Sequence, residues 1–159
     1  MSVKIGISKE EEKGLYMIRG DKIFRRVKNA EATDALEYGQ AVFYKHGKSD
    51  EVIACDTSAT GLPSYAGVVQ AADDADNEDY SILAGEWGTI LIHGEGQAIL
   101  DGDDDIAIGD ALKGVHDEDH MVKDQAAGTE ALYFSHAIAL EAYTVNDDAL
   151  KKVFVRAKG

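Results

Sequence analysis

The chain has 159 residues, 45% of them hydrophobic and 29% charged, with a formal net charge of -14 and a single cysteine. A chain of this size buries enough surface to fold unaided, and one cysteine allows no internal disulfide framework. The composition is not that of a fibrous or disordered protein. No run approaches the roughly 18 apolar residues of a membrane span, and so acidic a surface would be repelled by a nucleic-acid duplex.

The charge is unevenly spread. Residues 1–28 carry eight Lys or Arg against four Asp or Glu, a balance of +4, which leaves eight against 26, or -18, for the rest. The expected organisation is therefore a basic arm over residues 1–28 on an acidic domain over 29–159, an asymmetry that often marks a docking segment. The first residues show no apolar stretch of a secretory signal. A soluble protein made in a cytoplasm is the expectation.

Within the arm, LYMIRGDKIFRRV mixes apolar and basic residues, which a purely disordered tail would not carry. It reads as an extended segment, or a short hairpin turning at Gly20-Asp21, that needs another surface to bury its apolar groups. NAEATDALEYG (29–39) follows, readable as one or two helical turns stopped by Gly39. From there short apolar runs alternate with Gly, Asp and Asn, the grammar of an all-β domain. The expected strands are 40–45, 51–55, 65–71, 80–84, 89–93, 97–100, 110–115, 132–140 and 151–157. Breaks fall at His46-Gly47-Lys48, Gly61-Leu62-Pro63, Asp76-Asn77, Gly85, Gly94-Glu95-Gly96 and Asn146-Asp147-Asp148. In 132–140 the period of two places Leu132, Phe134, His136, Ile138 and Leu140 on one face, and it outranks the helix-forming composition there. IAIGDAL (106–112) reads as a buried element between acidic turns.

Several constellations invite a chemical reading. Asp101, Asp103 and Asp105 have the spacing of a calcium loop, but Ile106 and Leu112 occupy the positions where its Gly and bidentate Glu belong. His116 and His120 have zinc-protease spacing, yet Asp117 stands where the catalytic Glu is needed and no helix is expected. His93 and His136 fall inside strand patterns. Cys55 closes an apolar strand without a base beside it, and Ser58 and Ser64 lack a nucleophile elbow. Trp87, between glycines in GEWGT, is a candidate interface anchor. No catalytic residue, metal or cofactor is expected from these patterns.

The order of phrases adds a resemblance. LEYGQAVFY, then YAGVVQAADDADNEDYSILAGEWGTILIHGEGQAILDGDDDIAIGDALKGV, then AIALEAYTVNDDALKKVFVRA together resemble the tailed-phage capsid decoration (cement) proteins, over about residues 36–157. That resemblance implies a compact β-barrel or β-sandwich, β-tulip-like, with one or two short helices and an extended N-terminal arm. It further implies a homotrimer on the outer surface of a viral head, its partner the major capsid protein, without nucleic acid or membrane. The arm would supply the capsid contacts: Lys4, Lys9, Lys13, Leu15, Tyr16, Ile18, Arg19, Ile23, Phe24, Arg25 and Arg26. Two other readings compete with this one. One is a small β-barrel metal protein or enzyme using His93, His116, His120 and the Asp101–Asp105 loop; the other is a virion spike or tail module.

Overall fold

The computed structural model describes residues 16–45, 47–54, 65–72, 77–100, 105–114, 120–123, 136–144 and 147–156. Every regular element among them is a strand: β1 (Tyr16–Arg19), β2 (Lys22–Asn29), β3 (Leu36–Glu37), β4 (Ala41–Tyr44), β5 (Glu51–Ile53), β6 (Tyr65–Val69), β7 (Ser81–Ile82), β8 (Trp87–Leu100), β9 (Ala111–Gly114), β10 (Met121–Lys123), β11 (Ala137–Ala139) and β12 (Ala149–Val155). The mainly-β, barrel expectation holds. The short helices do not appear among the described residues, and 29–39 is bends and the two-residue β3 instead.

The reason lies in Asn29. This fully buried side chain donates to the carbonyls of Asp34 (2.9 Å) and Ile82 (2.8 Å) and accepts from the Glu31 amide (2.8 Å). Local side-chain bonds of this kind give the backbone an alternative to helix. Leu36 can then enter the core through the β3–β7 ribbon.

Strands β2, β5, β4, β6 and β8 close a five-stranded barrel, since β8 pairs with β6 on one side and β2 on the other. Its interior is filled from all five strands by Val27, Val52, Val42, Ala66, Val69 and Ile90, with Leu36 and Ile82 packed against them from the ribbon. The pairings close a second circuit through β8, β10, β9, β11 and β12. Here β12 runs along the far half of β8, whereas β10 meets β8 only at Met121↔Leu100. A second core joins the two units. Phe24, Phe43, Tyr65, Val68 and Leu91, from the outer faces of barrel strands, pack with Leu100, Leu112, Met121, Ala137, Val153 and Val155. Each Val, Leu, Phe or Met among them contributes roughly 1.5–3 kcal/mol by leaving water.

Gly94-Glu95-Gly96 is not a hairpin turn. Residues 89–93 and 97–100, expected as two strands, belong to the single fourteen-residue β8. The glycines serve close approach instead. A Cβ on Gly94 (φ 121°) would lie 3.1 Å from the backbone of Asp21 and Lys22, and one on Gly96 would sit 2.4 Å from the Gln70 amide nitrogen. Buried Gln70 is held there by donating its side-chain amide to the Gln97 carbonyl (2.7 Å), while the Thr89 hydroxyl donates to the Gln70 backbone carbonyl (2.6 Å).

Three further expectations change. The arm does not stop at residue 28 as a separate piece: β2 is a barrel stave, with Phe24 and Val27 buried in the two cores. In β11 the inward face is the small one, because Ala137 and Ala139 are fully buried while Leu140 emerges. Neighbouring large side chains already fill that core, so only methyl groups fit. Finally, IAIGDAL is a bridge, a turn and a strand. Ile106 pairs with Tyr143, the turn 107–110 is exposed except for half-buried Asp110, and Ala111-Leu112 is buried in β9.

Candidate interaction surface

β1 and β2 form a hairpin closed by Gly20-Asp21, as the sequence suggests, with Arg19 opposite Lys22 and Gly20 at φ 59°. A two-residue turn of this kind requires a positive φ, which glycine adopts without strain. Alternation then sorts the side chains. Met17 and Phe24, opposite one another, turn toward the shared core, with Phe24 only 1% exposed. Tyr16 with Arg25, and Ile18 with Ile23, share the other face.

That face is apolar, basic and open. Tyr16 is 60% and Ile18 74% exposed, while Ile23 and Arg25 are half-buried. The Arg25 guanidinium lies 5.1 Å from the Tyr16 ring centre and 5.3 Å from that of Tyr44, and it donates to the Tyr44 hydroxyl. Each cation–π contact adds about 0.5–1 kcal/mol at a partly exposed site. Together they hold the hairpin's outer face as a preformed surface.

The remaining arm candidates separate. Lys4, Lys9, Lys13 and Leu15 lie outside the described residues. Arg19 is placed by its backbone in β1, and Arg26 is half-buried with its Nε shielded from solvent. Phe24 cannot meet a partner, because it is core; its neighbours' charge disguised it in the sequence. Trp87 opens β8 opposite Lys28 and is half-buried.

For the metal-centred reading, Asp101, Asp103 and His116 fall outside the described residues, as do Cys55, Ser58 and Ser64. His120 Nδ1 sits 3.0 Å from Asp148 Oδ2. His93 meets the Phe154 ring edge-on at 5.2 Å, and His136 stacks flat on Tyr65 at 4.0 Å. Among the described residues no three or more His, Cys, Asp or Glu converge on a possible metal position.

A second exposed apolar feature was not legible in the sequence. Ile108 is 69% and Leu140 36% exposed. Backbone bonds from Gly109 to the Ala139 carbonyl (2.8 Å) and from Ala139 to the Asp110 carbonyl (2.9 Å) bring their segments together. The signal that was available is Ile-Gly-Asp, turn chemistry set inside an apolar run.

No protein-family model and no curated protein matches this sequence. Among solved structures, the chain is similar to the N-terminal base of head fiber gp8.5 of bacteriophage phi29. The two share 13% identity with a TM-score of 0.47, over 84% of this chain and 93% of that one. At that identity and score the likeness does not by itself assign a function.

Proposed function

We propose that this chain is a structural decoration protein of a tailed-phage capsid. It binds the outer surface of the head as a homotrimer and cements neighbouring major capsid subunits, without catalysis or cofactor. The observation that carries this reading is the apolar-basic face of the β1–β2 hairpin, fixed rigidly to a strongly acidic body. The order of sequence phrases supports it. LEYGQAVFY falls on β3 and β4, YAGVV on β6, SILAGEWGTILIHGEGQAIL on β7 and β8, and ALKKVFV on β12.

The physics of a shell coat fits the chain. Many modest contacts repeated over a lattice give strong net attachment. Excess negative charge keeps a heavily coated particle in solution. The basic segment contributes an electrostatic part that salt weakens, whereas the contacts of Tyr16 and Ile18 persist.

The test is binding of the purified protein to expanded heads that lack it. Saturable, stoichiometric coating is expected, with coated heads resisting heat or chelator better than bare ones. An intact oligomer that ignores such heads ends the reading. Copies per particle separate a coat from a spike or tail module, which would occupy only a few sites.

A further inference from the structure

The hairpin's outer face is continuous with the barrel interior. Along β2, Ile23 and Arg25 lie on the same side of the strand as Val27, which is buried inside the barrel, whereas Phe24 turns to the shared core. Tyr16 and Ile18 stand opposite Arg25 and Ile23, so they extend that inward side beyond the barrel's end. Two other strands reach the same place. On β4, Tyr44 shares a side with buried Val42 and pairs with Val52 of β5; on β8, Ile92 follows Ile90 on one side. Tyr44 and Ile92 are both half-buried against the interior core. The docking face is thus the barrel's inward side carried past its end, with Arg25 at the transition.

We infer that Tyr44, which lies outside the basic arm, is a positioning residue for the docking face and acts through Arg25. Its hydroxyl accepts a hydrogen bond from the Arg25 guanidinium, which lies 5.3 Å from the Tyr44 ring centre and 5.1 Å from that of Tyr16. Arg25 therefore ties β1 to β4 across the barrel's end. β1 needs such a tie. Among the described residues this four-residue strand pairs with β2 alone, and a two-stranded ribbon is marginally stable by itself. A face ordered before contact loses less freedom on binding, so the tie strengthens whatever the face grips. The inference rests on the decoration reading for what the face meets; the anchoring of the hairpin stands on the fold alone.

Hydrogen exchange and head binding test this in the full chain, with Tyr44→Leu and Tyr44→Phe beside the wild type. Losing both the hydroxyl bond and the cation–π contact in Tyr44→Leu should speed exchange over Tyr16–Arg19 about tenfold. The change over Gly88–Leu91 should be smaller, because those residues belong to the barrel. Tyr44→Phe keeps the ring and should recover part of the protection. On an Arg25→Met background, Tyr44→Leu should add no further acceleration over Tyr16–Arg19. Head affinity should fall in the same order, with Tyr44→Leu the weakest. Unchanged exchange over Tyr16–Arg19 overturns the inference, as does equal acceleration of both segments or an undiminished effect without Arg25. Should Tyr44→Leu fail to fold, Tyr44→Phe carries the comparison, with about threefold faster exchange expected from the hydroxyl alone. A loosened hairpin that still coats heads at full affinity overturns the positioning role and spares the decoration reading. A wild type that ignores heads ends that reading, and exchange then decides the anchoring.

Discussion

The two halves of β8 obey different rules within one strand. From Gly88 to Leu91 four consecutive residues are buried, because the barrel interior covers one face and the shared core the other. From Gly94 to Leu100 burial alternates, with Glu95 in water and Gly96, Ala98 and Leu100 inside. A strand covered on both faces reads as a continuous apolar run, and one covered on a single face reads as alternation. Where the period changes, the chain has not stopped; its surroundings have changed.

The largest effect that would sharpen this contrast comes from the barrel half. Ile90→Ala should cost about 4 kcal/mol, the upper range for a fully enclosed aliphatic side chain, measured by urea denaturation. A loss below about 1 kcal/mol would show the interior to be loosely packed. Gly96→Ala should cost about 2–3 kcal/mol, because the added methyl collides with Gln70 and Leu91. Were the glycine serving a turn at ordinary backbone angles, alanine would be harmless there, so a neutral result would restore the hairpin.

Tyr65→Phe tests the core between the units, with the opposite sign. The Tyr65 hydroxyl is buried and has no hydrogen-bond partner among the described residues, so its removal should stabilise the fold by about 1 kcal/mol at neutral pH. Burial raises its pKa above the ordinary 10.0. The folded protein therefore keeps this proton above pH 10 while the unfolded chain releases it, and stability falls as pH rises past that point. The phenylalanine variant should lose less stability than the wild type between pH 9 and pH 11. Parallel curves would place the alkaline sensitivity elsewhere. Smallest of all, Glu95→Ala on the wet side of β8 should shift stability by no more than about 0.5 kcal/mol. Thermal melts detect anything larger, and a larger loss would mean that this half is covered as well.

Most strand positions were legible because short apolar runs bounded by turn residues survive at 40–45 and 65–71, and alternation survives at 151–157. The losses have physical causes. Glycine serves both turns and close approaches with the same letter, so Gly94 and Gly96 split one strand into two. Alternation in 132–140 reveals two faces without saying which turns inward, and the volume available around Ala137 and Ala139 decided that. Charge dominated the reading of residues 1–28 and concealed Phe24 and Val27, which only long-range pairing with β8 could disclose. Deleting residues 1–28 would therefore remove a barrel stave and unfold the body. A truncation ending before Tyr16 is the one that isolates the basic segment.

Because β8 belongs to both circuits, the molecule has no seam. Withdraw that strand and β2-β5-β4-β6 is left with two raw borders, as is β10-β9-β11-β12. No cut of the polypeptide yields two halves that each keep a complete ring of staves. Heat or denaturant should therefore fracture the protein all at once, and a coat built from it would shed whole subunits instead of fraying within them.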